Sequence, residues 1–242
     1  MGKLFLVATP IGNLKDITLR ALETLKVADL ILCEDTRRTR KLLAHYQIKK
    51  PLLSYFEHNE ERRIPEVIEK LKQGQKIALV SDAGTPTISD PGFKLVRECI
   101  NQGIEVESIP GPSAILVALT SSGLPTDKFL FLGYLPRKPQ ARKKALESLT
   151  MILHSIKVTV IFFESPHRLL SSLKDLKEVL GDVEIAVCRE LTKVHEEIRR
   201  EKVSTAIEHF EKVKPKGEFV VLFRLQARSG YGRRSSGTRS ER

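Results

Sequence analysis

The 242 residues, set against the roughly 150 of a typical domain, allow one large domain or two small ones, and 41% apolar residues exclude general disorder. The longest unbroken apolar run, Ala114 to Leu119, falls far short of the roughly 20 residues of a membrane-spanning helix. A formal charge of +11, from 41 Lys and Arg against 30 Asp and Glu, points to a polyanionic partner.

Lys3 to Ala8 reads as a short apolar strand, followed by the turn Thr9-Pro10-Ile11-Gly12-Asn13. Leu19, Leu22, Leu25 and Ala28 recur at spacings of three and predict a helix over Thr18 to Val27. Asp29 to Cys33 reads as a strand, Thr36 to Tyr46 as a helix and Leu52 to Tyr55 as a strand. A helix over Glu60 to Gln73 presents Ile64, Val67, Ile68 and Leu71 on one side and closes at Gly74. Ile77 to Val80 is a buried strand, Pro91 to Asn101 a helix and Ile104 to Ile109 a strand. Strands joined by helical crossovers predict a parallel sheet covered on both faces.

A second α/β unit follows the Pro110-Gly111-Pro112 break. Its predicted helices are Ser113 to Ser121, Gln140 to Leu153, Arg168 to Leu180 and Val203 to Val213. Its predicted strands are Lys128 to Leu132, Lys157 to Phe163, Glu184 to Cys188 and Glu218 to Leu225. The expected organisation is therefore an α/β domain over 1–111, a second over 112–226 and a basic tail over 227–242. From Ala227 onward the tail holds five Arg and one Glu, leaving +7 of the charge on the body. Arg228 to Arg242 is rich in Ser, Gly and Arg, which predicts disorder.

The five apolar residues Leu4 to Ala8 are too few for a signal-peptide core, and Leu6 stands where a myristoylation signal wants Ser or Thr. A cytoplasmic protein with no membrane partner is expected. Cys33, Cys99 and Cys188 are scattered, without metal-ligand spacing, and read as buried small hydrophobes. The histidines form neither HxxxH nor HExxH, and no metal is expected. Walker, GxGxxG and GxSxG patterns are also missing, which argues against those nucleotide and hydrolase sites.

Ligands of open α/β sheets sit beyond the carboxyl ends of the strands. Here those ends carry Thr9 to Asn13, Glu34-Asp35-Thr36-Arg37-Arg38, Ser81 to Gly92 and Pro110 to Ala114. Small residues there let a ligand approach the backbone, and exposed amides near Thr85 suit a carboxylate or phosphate. An ordinary strand-to-helix turn, with Asp90 capping a helix that starts near Pro91, explains the richest loop equally simply. In the second unit, Glu164-Ser165-Pro166-His167-Arg168 and Arg189 to Glu197 each mix carboxylate and cation after a strand. Basic clusters at Arg37, Arg38, Arg40 and Lys41, at Arg62 and Arg63, and at Arg137 to Lys144 read either as solvated helix faces or as phosphodiester contacts.

Taken in order, Ala8 to Asn13, Glu34 to Arg37, His58-Asn59-Glu60, Ser81 to Gly92, Pro110 to Ala114, Glu164 to Arg168, Arg189 to Lys193 and Gly217-Glu218-Phe219 resemble the tetrapyrrole methylase superfamily. More narrowly, the chain is similar to its ribosomal branch, the 16S rRNA (cytidine-2′-O)-methyltransferases. Where the tetrapyrrole branch reads more like Gly-Gly-Asp-Pro, this chain has Ala83-Gly84-Thr85-Pro86. The resemblance implies two α/β domains, a mainly parallel sheet in the first and a mixed sheet in the second, with S-adenosyl-L-methionine (AdoMet) in the cleft between them. It implies a homodimer acting on 16S rRNA or the small ribosomal subunit. It carries cofactor contacts onto Pro10, Asp82, Ala83, Gly84, Thr85, Ile88, Ser113 and Ala114. Strand-end position within those motifs makes Asp35 and Glu164 the candidate bases or hydroxyl-orienting groups, and Arg37, Arg168 and Lys193 the candidate RNA phosphate contacts. Similar RNA-modifying members often carry a further helical domain after the final strand, where this chain has only Arg228 to Arg242. Methylation of a tetrapyrrole or other small molecule, and a non-catalytic rRNA-binding assembly factor, are the alternatives.

Overall fold

A computed structural model describes residues 2–225; the expected basic tail lies outside them. The first half forms strands β1 (Lys3–Val7), β2 (Leu30–Cys33), β3 (Leu52–Ser54), β4 (Lys76–Val80) and β5 (Glu105–Ile109). They pair in the order β3-β2-β4-β1-β5, every neighbour parallel. Side chains alternate between the two faces of each strand, and both faces are covered. Phe5, Val7, Ile31, Cys33, Ala78 and Val80 pack under α1 (Leu19–Val27) and α2 (Thr36–His45). Leu4, Leu32, Ile77 and Leu79 pack under α3 (Glu60–Lys72) and α4 (Phe93–Asn101). Burial on both sides explains why β1, β2 and β4 read as near-continuous apolar runs.

The second half adds α5 (Ala114–Ser121), β6 (Phe129–Tyr134), α6 (Pro139–Ser155), β7 (Thr159–Glu164), α7 (Leu169–Leu180), β8 (Glu184–Arg189), β9 (Glu197–Lys202), α8 (Val203–Lys212) and β10 (Phe219–Phe223). This sheet runs β6-β7-β10-β8-β9. Only β6 and β7 are parallel, so the sheet is mixed. Helices α6, α7 and α8 cover one face and α5 the other. Ile11, from the loop after β1, joins the α5 cluster and packs the first half of the chain against the second.

Three local expectations are corrected. Glu197–Lys202 is a strand that the charged string EIRREK hides, because an edge strand exposes side chains that a central one buries. Asp90 does not cap α4; Gly92, at φ 128°, is the cap residue, and Asp90 instead lines the space beyond β4. Arg142, counted within a surface basic cluster, is 1% exposed and ion-paired to Asp175, with Nε 2.7 Å from Oδ2.

Candidate active site

The carboxyl ends of β1 and β4 are locked together by backbone. Thr9 N–H donates to the Gly84 carbonyl (2.9 Å) and Gly84 N–H donates back to Thr9 (3.0 Å). Gly84 holds φ at +82°, a region that side chains rarely adopt. The Thr85 hydroxyl donates to the Pro112 carbonyl at 3.2 Å, drawing the loop after β4 toward the start of α5. Thr87 and Ser89 in this loop, and Glu190 and Thr192 in the loop after β8, also have positive φ. Such strain concentrates at functional sites.

Between these loops and the second sheet lies a cavity of about 330 Å³, within the size range of small-molecule sites. Seven of the eight expected cofactor contacts line it: Asp82, Ala83, Gly84, Thr85, Ile88, Ser113 and Ala114. Pro10 instead lines a neighbouring cavity of about 320 Å³. The first cavity is apolar at Ile11, Ile115, Leu191 and Val220, and takes Phe163 to Pro166 and Gly217 to Val220 from the second sheet's strand ends. A flat apolar group therefore has walls, and the loop around Gly84 brings backbone within reach of it.

Its charged lining is lopsided: Asp82, Asp90, Glu164 and Glu218 against Arg38 alone. Burial and the nearby Asp82 charge push Asp90 up to about 6, against a hydrogen bond with Ser81. Behind it, burial and the charge of Asp90 push Glu34 up to about 7. A carboxyl with a raised folded pKa favours the native state below its unfolded value near 4.5 and loses that advantage as pH rises towards 7. Glu34→Gln should therefore raise stability at pH 8 by about 1 kcal/mol after discounting for solvent screening, and leave pH 4 unchanged. Thermal melts across that range check this; an equal shift at both pH values would contradict it.

The two expected bases are occupied differently. Asp35 caps α2, its Oδ1 accepting from Arg37 N–H at 2.8 Å and Nε at 3.1 Å, and its Oδ2 from Nη2 at 2.9 Å. The Arg37 guanidinium holds Asp35 down to about 2, and neither residue lines either cavity. Glu164 does line the first cavity, but it is 2% exposed. Its Oε1 accepts from Ser165 N–H at 2.8 Å, and its Oε2 accepts from the Ser172 hydroxyl. Arg168 Nε lies 3.2 Å from Glu164 Oε1, and its Nη2 donates to the Leu135 carbonyl at 2.6 Å. Arg168 is thereby committed to holding the turn after β6. Lys193 stands on the second cavity, its Nζ 2.9 Å from both Glu190 Oε1 and Glu218 Oε2. Among the described residues, no group of three or more His, Cys, Asp and Glu side chains is placed to hold a metal ion.

Residues 3–207 match the model of the Tetrapyrrole (Corrin/Porphyrin) Methylases. The chain belongs to the tetrapyrrole methylase family. Within it, the chain is 55% identical to "Ribosomal RNA small subunit methyltransferase I" of Thermotoga maritima, over 92% of this chain and 98% of that one. The protein of the same name from Synechocystis sp. is 52% identical, over 92% and 78% respectively. Among solved structures, cobalt precorrin-4 methyltransferase aligns with a TM-score of 0.68 at 20% identity, over 91% of this chain and 94% of that one. Uroporphyrin-III C-methyltransferase from Thermus thermophilus, complexed with S-adenosylhomocysteine, aligns with a TM-score of 0.63 at 19% identity, over 92% and 97%. These likenesses support the two-sheet fold.

Three further groups line the site of this family member. Tyr134 enters the first cavity from the end of β6, its ring 5.7 Å from that of Phe163. Arg38 lines both cavities and reaches Asp82 Oδ2 at 3.2 Å, yet in sequence it is one cation among four. Glu218, within the Gly217-Glu218-Phe219 motif but assigned no role from it, also lines both. No helix among the described residues is long and apolar enough to cross a membrane.

Proposed function

We propose that the protein is an AdoMet-dependent methyltransferase that methylates the ribose 2′-oxygen of a cytidine in 16S rRNA of the small ribosomal subunit. One observation carries the reading: seven of the eight expected cofactor contacts converge on one cavity whose charged lining is four carboxylates against one guanidinium. That lining suits a cationic sulfonium ligand. The 46–55% identity to eight small-subunit rRNA methyltransferases I supports RNA as the substrate class.

When bound, AdoMet supplies an activated methyl on a positively charged sulfur. Asp82, Ala83, Gly84 and Thr85 would hold such a ligand, Ile88 and Leu191 would exclude water, and Asp90 would balance its charge. Pro10 supports the wall from the neighbouring cavity. Glu164 and Arg168 act as a positioning pair that fixes the turn after β6. Asp35 orders the start of α2 and holds Arg37, whose side chain is 83% exposed and available to phosphate. Lys193 is the second phosphate contact.

The two sheets support domains over 1–111 and 112–226. We take the protein to be a cytoplasmic homodimer, to which the exposed Met151 and Ile152 of α6 offer apolar surface. Light scattering should give twice the chain mass; a monomer at micromolar concentration would contradict the dimer. Transfer of tritium from methyl-labelled AdoMet to small ribosomal subunits tests the activity. Label in rRNA is the expected result. Label only in an added tetrapyrrole, or salt-sensitive RNA binding with no transfer, overturns it.

A further inference from the structure

The second cavity shares a wall with the first, since Ile11, Arg38, Asp82, Ala83 and Glu218 line both. Its charge is the reverse. Arg38, Lys41 and Lys193 stand against Asp82 and Glu218. Asp82 is already bound by Arg38, and Glu218 shares Lys193 with Glu190, which lies outside the cavity. Lys41 is exposed and makes no ion pair among the described residues. Pro10, Leu14 and Leu42 give the same cavity an apolar side. Cations and an apolar face side by side fit a nucleotide better than a sulfonium compound.

The cavity is built across the two halves of the chain. Asn13 N–H donates to the Thr192 hydroxyl at 3.1 Å. Gly12 lies so close beneath this loop that a Cβ there would stand 2.9 Å from Thr192 Oγ1. Thr192 itself is held at φ 64°. Lys193 is thus fixed opposite α2, where Arg38 and Lys41 sit.

We propose that this second cavity is the acceptor-nucleotide pocket, and that Glu218 on the shared wall is the catalytic base. The proposal rests on the methyl-transfer reading above. One nucleotide of the RNA sets its phosphate between Lys41 and Lys193 and its base against Leu14 and Leu42, which brings its ribose hydroxyl to the wall. There the hydroxyl oxygen bonds to the methyl carbon as the carbon–sulfur bond breaks, the electron pair staying on sulfur, and the proton passes to the Glu218 carboxylate. Glu218 is suited to this: Lys193 engages its Oε2 at 2.9 Å, and its Oε1 has no hydrogen-bond partner among the described residues.

The test uses the full chain in two assays without label transfer and one with it. Filter binding of a radiolabelled 16S rRNA fragment that the parent protein binds, with no cofactor present, reads the pocket. Calorimetry with S-adenosylhomocysteine reads the first cavity. The double variant Lys41→Ala/Lys193→Ala should bind the fragment at least about tenfold more weakly, with a salt slope smaller by about two. Its S-adenosylhomocysteine affinity should stay within about twofold. Glu218→Gln, which relieves Lys193 of a competing charge, should bind the fragment as well as or better than the parent. Its label transfer at saturating rRNA should fall at least about 100-fold, as for loss of a general base. Normal fragment binding by the double variant, or equal weakening of both ligands, overturns the pocket; normal turnover by Glu218→Gln overturns the base. If the parent protein transfers no label yet the binding pattern holds, the proposed activity fails and the pocket stands. If label is transferred normally and the double variant binds rRNA normally, the pocket fails and the activity stands.

Discussion

Gly84→Val should abolish S-adenosylhomocysteine binding, weakening it at least about 100-fold, while the protein remains folded. Two effects add. The backbone at φ +82° is hostile to a β-branched residue, at a cost of about 1–3 kcal/mol. A Cβ there would also lie 3.3 Å from Ile11 Cγ2 and 3.8 Å from the Pro112 carbonyl, so the two added methyls must take space from the cavity or displace Ile11. Moving Ile11 disturbs the cluster that joins α5 to the loop after β1. Gly84→Ala, which carries only the Cβ, should fall between valine and the parent. Titration calorimetry with a parallel thermal melt decides it: a valine variant that binds like the parent would remove this loop from the cofactor site.

Asp175→Ala should destabilise the protein by about 3–5 kcal/mol, the usual cost of stranding one member of a buried ion pair. Arg142 is 1% exposed, with Nη2 2.5 Å from Asp175 Oδ2 and Nη1 within 3.4 Å of the Pro136 and Arg137 carbonyls. Without Asp175 those carbonyls are too few to satisfy a full guanidinium charge. The double variant Arg142→Met/Asp175→Leu, which removes both charges and keeps the bulk, should recover most of the loss. Urea denaturation measures both. A loss under about 1 kcal/mol for the alanine variant would mean that solvent reaches Arg142 on removal of its partner. The pair fastens α6 to α7, so the segment after β6 should lose its placement along with the stability.

The first sheet was largely legible in the sequence because its inner strands β1, β2 and β4 are buried on both faces, which writes each as an apolar run. Lys3 to Ala8 and Ile77 to Val80 needed no tertiary knowledge. The edge strand Glu197–Lys202 is the opposite case: six residues, five of them charged, pair along β8 through backbone, and their side chains carry no strand period. Arg142 misled for a related reason. Its partner is 33 residues away, and a helix-face count of cations cannot see across to α7.

The site was legible as a set of strand ends but not as chemistry. Seven of the expected cofactor contacts fall together because parallel strands deliver their carboxyl ends to one edge. Asp35 looked like a base for the same positional reason, whereas two residues downstream Arg37 turns back and claims both its oxygens. The raised pKa of Glu34 and the double placement of Arg38 and Glu218 arise from neighbours brought together by folding, which no local string records.

The most direct measurement of the central claim is the chemical identity of the methylated product. Small ribosomal subunits lacking the modification are incubated with the protein and methyl-labelled AdoMet, the rRNA is digested to nucleosides, and the label is identified by mass spectrometry. Label is expected in 2′-O-methylcytidine from a single position in 16S rRNA, absent when the Gly84→Val variant replaces the parent. Label on a base, on another nucleoside, or on no RNA at all would contradict it.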